Sequence, residues 1–271
     1  MKVLENGALR GIILIKKRFL DSEIEQKICF YQHTARIDFK TTMNWREHQM
    51  LLKTAFPLDI LCKEANYDIQ FGNVSRPTHE NTTWDQARFE VCAHKWADIS
   101  EPGYGAALLN DCKYGYDIHD SVLRLTLLKS GIFPNPDADQ GEHTFTYALF
   151  PHKGDFRTGG VVQEAYDLNC PLFAAAVRGE TGHSYSFLTI EEENIIADTV
   201  KLSEDGDGII IRMYEAYGMR TKAHITFHKT GADQVMECTC LEEEKTSLSW
   251  ENETLVITLK PYEIKTIKLK R

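Results

Sequence analysis

Period-two alternation of apolar and polar residues is the pattern that most limits the folds open to this chain. Ala223-His224-Ile225-Thr226-Phe227-His228 alternates strictly, and Leu255-Val256-Ile257-Thr258-Leu259 puts its large aliphatic residues on one face before Pro261 closes the run. Arg36-Ile37-Asp38-Phe39-Lys40 and Arg88-Phe89-Glu90-Val91-Cys92-Ala93 repeat the pattern, and residues 122–128 and 144–150 read as buried strands. Gly208 to Tyr214 is a further β-branched run, entered through Glu204-Asp205-Gly206-Asp207-Gly208, where glycine supplies the positive φ of a tight turn. Tyr262 to Leu269 loses alternation near Thr266 and Ile267, which predicts either a bulge or a strand buried on both faces. Helical spacing is scarce. Long polar connections are expected over 72–85, 99–120 and 131–142, and tight turns only in the last third. These features predict an all-β chain. A large antiparallel β-sandwich spans residues 1–190 and a smaller β-sandwich spans 191–271, the change of character falling between Ser186 and Asn194.

Composition narrows the partners. A formal net charge of -9 opposes binding to nucleic acid or an anionic membrane, both of which need basic surface. No stretch approaches the roughly 20 apolar residues of a membrane span. The run Gly11-Ile12-Ile13-Leu14-Ile15 is too short for a signal core, and its lysines follow it. The seven cysteines form no CxxC, and the close pair Cys238 and Cys240 diverges on a strand. A reduced, cytoplasmic protein is the expectation.

The search for chemistry starts with carboxylates. Asp111, Asp117, Asp120, Asp137 and Asp139 lie in predicted loops, but their spacing selects no acid pair of the kind glycosidases use. Asp137 to Glu142 departs from a calcium loop in its glycine position, and Ala148 stands where the closing glutamate belongs. Histidines are plentiful without an HExxH; on a strand, His224 and His228 sit roughly 13 Å apart. The triplets Glu191-Glu192-Glu193 and Glu242-Glu243-Glu244 read as solvated turns. The densest constellation is Leu109-Asn110-Asp111-Cys112-Lys113-Tyr114-Gly115-Tyr116-Asp117, which gathers amide, carboxylate, ammonium and phenols as sugar recognition does. The same residues also suit a buried network that merely holds a loop. Arg76 to Asp85 has similar polar density. Asn110, Asp111, Tyr114 and Tyr116, with His79 and Trp84, are therefore the candidate substrate-binding residues; no catalytic or metal residue is assigned.

These blocks carry a resemblance. Phe71-Gly72-Asn73-Val74, Arg76-Pro77-Thr78-His79, Trp84-Asp85, Ala93-His94-Lys95-Trp96-Ala97-Asp98 and Leu108 to Asp117 resemble, in order, consecutive blocks of glycoside hydrolase family 38 α-mannosidases of the bacterial and cytosolic type. Arg124 to Leu128, Tyr147 to His152 and Gly208 to Glu215 extend the likeness nearly end to end. The resemblance implies a galactose-mutarotase-like sandwich followed by a smaller one. It also implies a parent enzyme that hydrolyses α-mannosides with retention, using an aspartate nucleophile, an acid/base carboxylate and a zinc ion held by histidines and aspartates. Those groups belong to an N-terminal α/β barrel that this sequence does not contain, so no cofactor is expected in this chain and zinc is expected in the absent domain. Lys2 to Gly7 resembles a point already inside the large sandwich, with earlier strands outside the chain.

Three functions compete on this reading. The leading one is the accessory C-terminal region of an α-mannosidase, a fragment or truncated product inactive alone, with the catalytic barrel and a carbohydrate as partners. The second is a stand-alone carbohydrate-binding β-sandwich module. The third is a mutarotase-like epimerase, which needs a histidine acid and a carboxylate base on one sugar ring. Unpaired edge strands would favour a homo-oligomer.

Overall fold

In the computed structural model, which describes residues 1–176, 178–179, 182 and 184–270, the alternating segments become strands of four antiparallel sheets. The chain forms two compact units, one of Met1–Ile69 with Val74–Phe173 and one of Gln70–Asn73 with Ala174–Arg271. The units divide ahead of the 190/191 position read from the sequence. The first strand beyond the division begins at Leu188.

The first unit contains β1 (Lys2–Asn6), β2 (Arg10–Phe19), β3 (Ser22–Tyr31), β4 (Ile37–Trp45), β5 (Met50–Pro57), β6 (Glu64–Ile69) and, from Val74 on, β7 (Gly72–Pro77). After helix α1 (Thr83–Gln86) come β8 (Val91–Cys92), β9 (Trp96–Glu101), β10 (Tyr104–Asn110), β11 (Gly115–His119), β12 (Val122–Ser130), β13 (Gly141–His152) and helix α2 (Val161–Asn169). A nine-stranded sheet runs β1-β2-β3-β4-β13-β10-β9-β6-β7, and a four-stranded sheet runs β5-β12-β11-β8. Their facing side chains form the core, which includes Met43, Trp45, Tyr67, Leu108, Tyr116, Leu123 and Leu125. Phe39 stacks on Tyr147 at 5.0 Å, and Phe56 from β5 meets Phe39 at 5.6 Å. Fully burying each such side chain contributes roughly 1.5–3 kcal/mol, so this cluster dominates the unit's stability.

Several expectations change. Residues 99–120 are not one long loop: they hold the second half of β9 and all of β10 and β11. Ala106, Ala107, Leu108 and Leu109 are all buried, and a strand covered on both faces shows no alternation to read. Residues 88–93 alternate, yet only Val91–Cys92 is strand and Phe89 is exposed; the segment just before it is taken up by α1, which a capping box between Thr82 and Asp85 opens. Helix α2 gave no clear sequence signal. It is nine residues long, buries Val161, Val162 and Ala165, and packs against β9 and β10.

The second unit contains β14 (Leu188–Ile190), β15 (Ile195–Leu202), β16 (Gly208–Glu215), β17 (Thr221–Phe227), β18 (Gln234–Cys238), β19 (Glu244–Leu248), β20 (Trp250–Glu251), β21 (Thr254–Leu259) and β22 (Ile264–Lys270). Its sheets run β14-β17-β21-β20 and β15-β16-β22-β18-β19. Met213, Ile225, Phe227, Leu255 and Ile267 lie in their shared core. Thus β22, paired on both sides without a register shift, is the doubly buried strand and not the bulged one.

Its lost alternation has a second consequence, a lysine with no exposed surface. Lys268 aims its ammonium at the Asp-Gly turn, donating to Asp205 Oδ2 at 2.6 Å, pairing with Asp207 and lying 3.5 Å from Glu244. Gly206, at φ 77°, lets that turn fold over the ammonium. Burial works against the charged lysine, but Asp205 and Asp207 outweigh it and raise its pKa; the hydrogen bond from Lys268 lowers that of Asp205. A depressed aspartate stabilises the fold above its unfolded pKa of about 3.9, and a raised lysine does so below about 10.4. The melting temperature of the second unit is therefore expected to hold a plateau between these values and fall as pH drops below about 4. Scanning calorimetry across pH checks this, and Lys268→Met should flatten the acid limb.

Candidate functional site

Where β10 ends, the chain turns through Asp111–Tyr114 into β11, and the turn borders a surface cleft of about 280 Å³. Its lining is Cys92, His94, Lys95, Asn110, Asp111, Tyr114 and Asn169. Asn110 holds the turn. Its side-chain amide donates to His94 O at 2.7 Å and to Tyr116 Oη at 2.6 Å, and its Oδ1 accepts from Lys113 N at 2.5 Å. Tyr116 is wholly buried and donates to Leu108 O at 3.2 Å. Burial raises its pKa, so the phenol stays neutral.

Beside this buried pair stand groups that face solvent. Asp111 is exposed and fixed by reciprocal bonds with Thr146, its Oδ2 accepting from Thr146 N at 2.9 Å. Tyr114 is 54% exposed and meets His94 edge-on at 5.7 Å. Lys95 donates to Asp68 Oδ2 at 3.3 Å and lies 4.9 Å from the Tyr166 ring centroid. Burial raises the pKa of Asp68, opposed by Lys95. The open wall thus offers a carboxylate, an imidazole and a phenol with its aromatic face, a set that suits a neutral polyhydroxylated ligand.

The six residues singled out in the sequence separate into different places. Asn110, Asp111 and Tyr114 line this cleft. Tyr116 belongs to the core beneath it, where its hydroxyl supports Asn110; its place in a motif gave no sign of that burial. His79 borders another, very small crevice with Asp85 and Arg88, its Nδ1 3.9 Å from Asp85 Oδ2. Trp84, on α1, is 79% exposed and lines neither. Asn169, by contrast, reaches the cleft from α2 and donates to Asn110 O at 3.0 Å across a sequence separation of 59. Nothing local in the sequence announces it.

The other candidate groups have structural partners. Asp117 joins Lys53, Arg124 and His119 in an ion-pair network on the small sheet. Asp139 Oδ2 accepts from Lys129 N at 2.9 Å. The Cys112 thiol is pushed up to about 11 by burial and by Asp111, away from nucleophilic character. Among the described residues, one group of acids and histidine converges closely enough for a metal: Glu191, Glu192 and His224. Both oxygens of Glu192 already accept from His224, from Nδ1 at 2.6 Å and from the backbone N–H at 2.8 Å. That arrangement is a half-exposed ion pair and does not fit the histidine-aspartate zinc centre implied by the resemblance.

Two all-β units, each built of two antiparallel sheets, define a chain of the β-sandwich class. The sequence comparisons resolve it further. Residues 1–137 match the glycosyl hydrolases family 38 C-terminal domain, and residues 194–267 match the glycosyl hydrolases family 38 C-terminal beta sandwich domain. The chain belongs to glycosyl hydrolase family 38, as part of its C-terminal region. It is 40% identical to Alpha-mannosidase G of Dictyostelium discoideum over 98% of this chain and 26% of that protein. It is 38% identical to Alpha-mannosidase 2C1 of Homo sapiens over 97% of this chain and 26% of that protein. The chain therefore spans about a quarter of the length of these relatives. An alpha-mannosidase from Enterococcus faecalis V583 shares the fold, with a TM-score of 0.81 and 19% identity over 99% of this chain and 35% of that one. No helix is long and apolar enough to cross a membrane.

Proposed function

We propose that these residues are the non-catalytic C-terminal β-region of an α-mannosidase whose hydrolytic site, with its zinc, lies in polypeptide outside residues 1–271. The observation that carries this reading is coverage. Nearly the whole chain aligns with α-mannosidases, yet with only 26% of their length. The acids and histidines of the chain support it, since those described above are engaged in turns and ion pairs. In this reading the Asp111–Tyr114 turn contributes to glycan contact, with Asn110 and Tyr116 positioning it. Its free thiols suit a reducing, cytoplasmic compartment. Purified chain is expected to show no hydrolysis of an aryl α-mannoside; turnover that a chelator abolishes would overturn the proposal.

The cleft of about 280 Å³ favours a second reading, a carbohydrate-binding module acting alone. Calorimetric titration with mannose and short α-mannosides decides between them. Binding that Tyr114→Ala weakens supports the module, and the absence of heat at millimolar sugar removes it.

A further inference from the structure

The small crevice that His79 borders lies between edge strand β7 of the nine-stranded sheet and strands β8 and β11 of the four-stranded one. The segment carrying α1 adds His79, Asp85 and Arg88 to its walls. Arg76 enters it from β7, its guanidinium 4.6 Å from the Tyr67 ring centroid. Arg76 Nη1 is buried without a hydrogen-bond partner, and the guanidinium makes no ion pair among the described residues. The two carboxylates lining the crevice are engaged elsewhere. Asp85 accepts from Thr82 and lies 3.6 Å from Arg88, and Asp117 is held by Lys53, His119 and Arg124. His119, on the same wall as Asp117, also has a buried nitrogen without a hydrogen-bond partner: Nδ1 stands 3.3 Å from Glu80 Oε1 but outside bonding geometry. Burial lowers the pKa of Arg76, opposed by Tyr67 and Cys92, yet a guanidinium keeps its charge in a folded protein. A half-buried cation therefore lines this crevice with no counter-charge from the chain, a costly arrangement.

We infer that the crevice is a binding site for a monatomic anion of the chloride class, which accepts from Arg76 Nη1 and neutralises its guanidinium. Volume sets the class. The crevice holds about 20 Å³, a little more than the roughly 10–15 Å³ that one water needs, and it excludes a phosphate, a sulfate or a sugar ring. Charge then selects an anion over water. A water accepts one bond and leaves the guanidinium uncompensated, whereas an anion accepts a charge-assisted bond and supplies the counter-charge as well. His119 Nδ1 adds a second N–H to the same ligand when the imidazole carries both protons. Because the walls come from β7, β11 and the α1 segment, an ion held here ties the three together. The crevice shares no lining residue with the Asp111–Tyr114 cleft, and the inference does not depend on the α-mannosidase reading.

The test compares sodium chloride with sodium methanesulfonate, whose anion is too large for the crevice, at equal ionic strength so that screening stays constant. Chloride is expected to raise the melting temperature of the first unit saturably, by about 2–6 °C at tenfold its dissociation constant. In methanesulfonate, Arg76→Met should be at least as stable as the unsubstituted chain, because it removes an uncompensated charge and keeps an aliphatic stem on Tyr67. The variant should then show no response to chloride. In crystals grown from sodium bromide, anomalous scattering should place one bromide in contact with Arg76 Nη1. The absence of bromide there overturns the inference whether or not Arg76→Met folds. A bromide there without a chloride-dependent shift in melting temperature is an adventitious ion only and overturns it equally. A chloride response that persists in folded Arg76→Met assigns the ion to another place and also overturns it.

Discussion

Asp98→Ala is expected to lower the unfolding free energy by about 3–5 kcal/mol, read as a shift of the denaturation midpoint of the first unit. Asp98 and His152 are side chains of adjacent regions of the nine-stranded sheet, with Nε2 and Oδ2 2.7 Å apart and essentially no exposed surface on either. They lie on the sheet face away from the main core. The segment after β13 covers them, and there Phe156 stacks on Trp96 at 5.1 Å. Burial raises the pKa of Asp98, opposed by His152. Gly105 and Gly159 are what permit so close a cover: a β-carbon at either would overlap the imidazole. Removing the carboxylate leaves an imidazole enclosed with its strongest partner gone, and the penalty follows from that loss more than from the pair's own net contribution. His152→Leu together with Asp98→Leu should therefore recover much of the stability lost in the single substitution. A double substitution as unstable as Asp98→Ala would show that packing, and not the pair, holds the cover down.

The second large effect is expected at Glu215, with a loss of about 3–5 kcal/mol on replacement by alanine and a visibly lower melting temperature of the second unit. This carboxylate is wholly buried at the end of β16. Oε1 accepts from Asn194 Nδ2 and from Tyr217 N, each at 2.8 Å. Oε2 accepts from Gly218 N at 2.8 Å, Met219 N at 3.0 Å and Tyr262 N at 3.1 Å. One side chain thus satisfies four backbone donors on two loops, and the closing turn after β21 is tied to the one after β16. Alanine strands all of them away from water. Glu215→Gln is the informative control. Its amide nitrogen cannot accept, so one of the two sets of donors is lost and an intermediate fall of about 2 kcal/mol is expected. Equal stability of Gln and wild type would show that water replaces the missing acceptor.

How far the sequence reached is visible in these same places. Alternation found β17 and β21 almost residue for residue, because each has one face in the core and one in solvent. The Asp-Gly turn before β16 was equally legible, since its backbone demands glycine. The reading of 99–120 as a loop failed for the opposite reason: β10 is buried on both faces, and double burial erases the period. Helix α2 went unseen because nine residues with three buried positions make a weak pattern that only the sheet beneath it stabilises.

The candidate site divides along the same line. The motif from Asn110 to Tyr116 was visible as a concentration of polar and aromatic types, and it does border a cleft. Its division of labour was not visible, since Tyr114 meets solvent and Tyr116 fills the core only through the direction each takes from the turn. His79 and Trp84, singled out on density alone, were carried elsewhere by α1 and the strands around it. By itself the sequence determined an all-β chain, most of its strands and, through ordered blocks, its family, all of which depend on local period or on matched residue types. Tertiary structure alone decided that Asn169 reaches the cleft, that Asp98 meets His152 and that Glu215 gathers two loops. Each of these joins groups distant along the chain, and no local pattern encodes which distant segments meet.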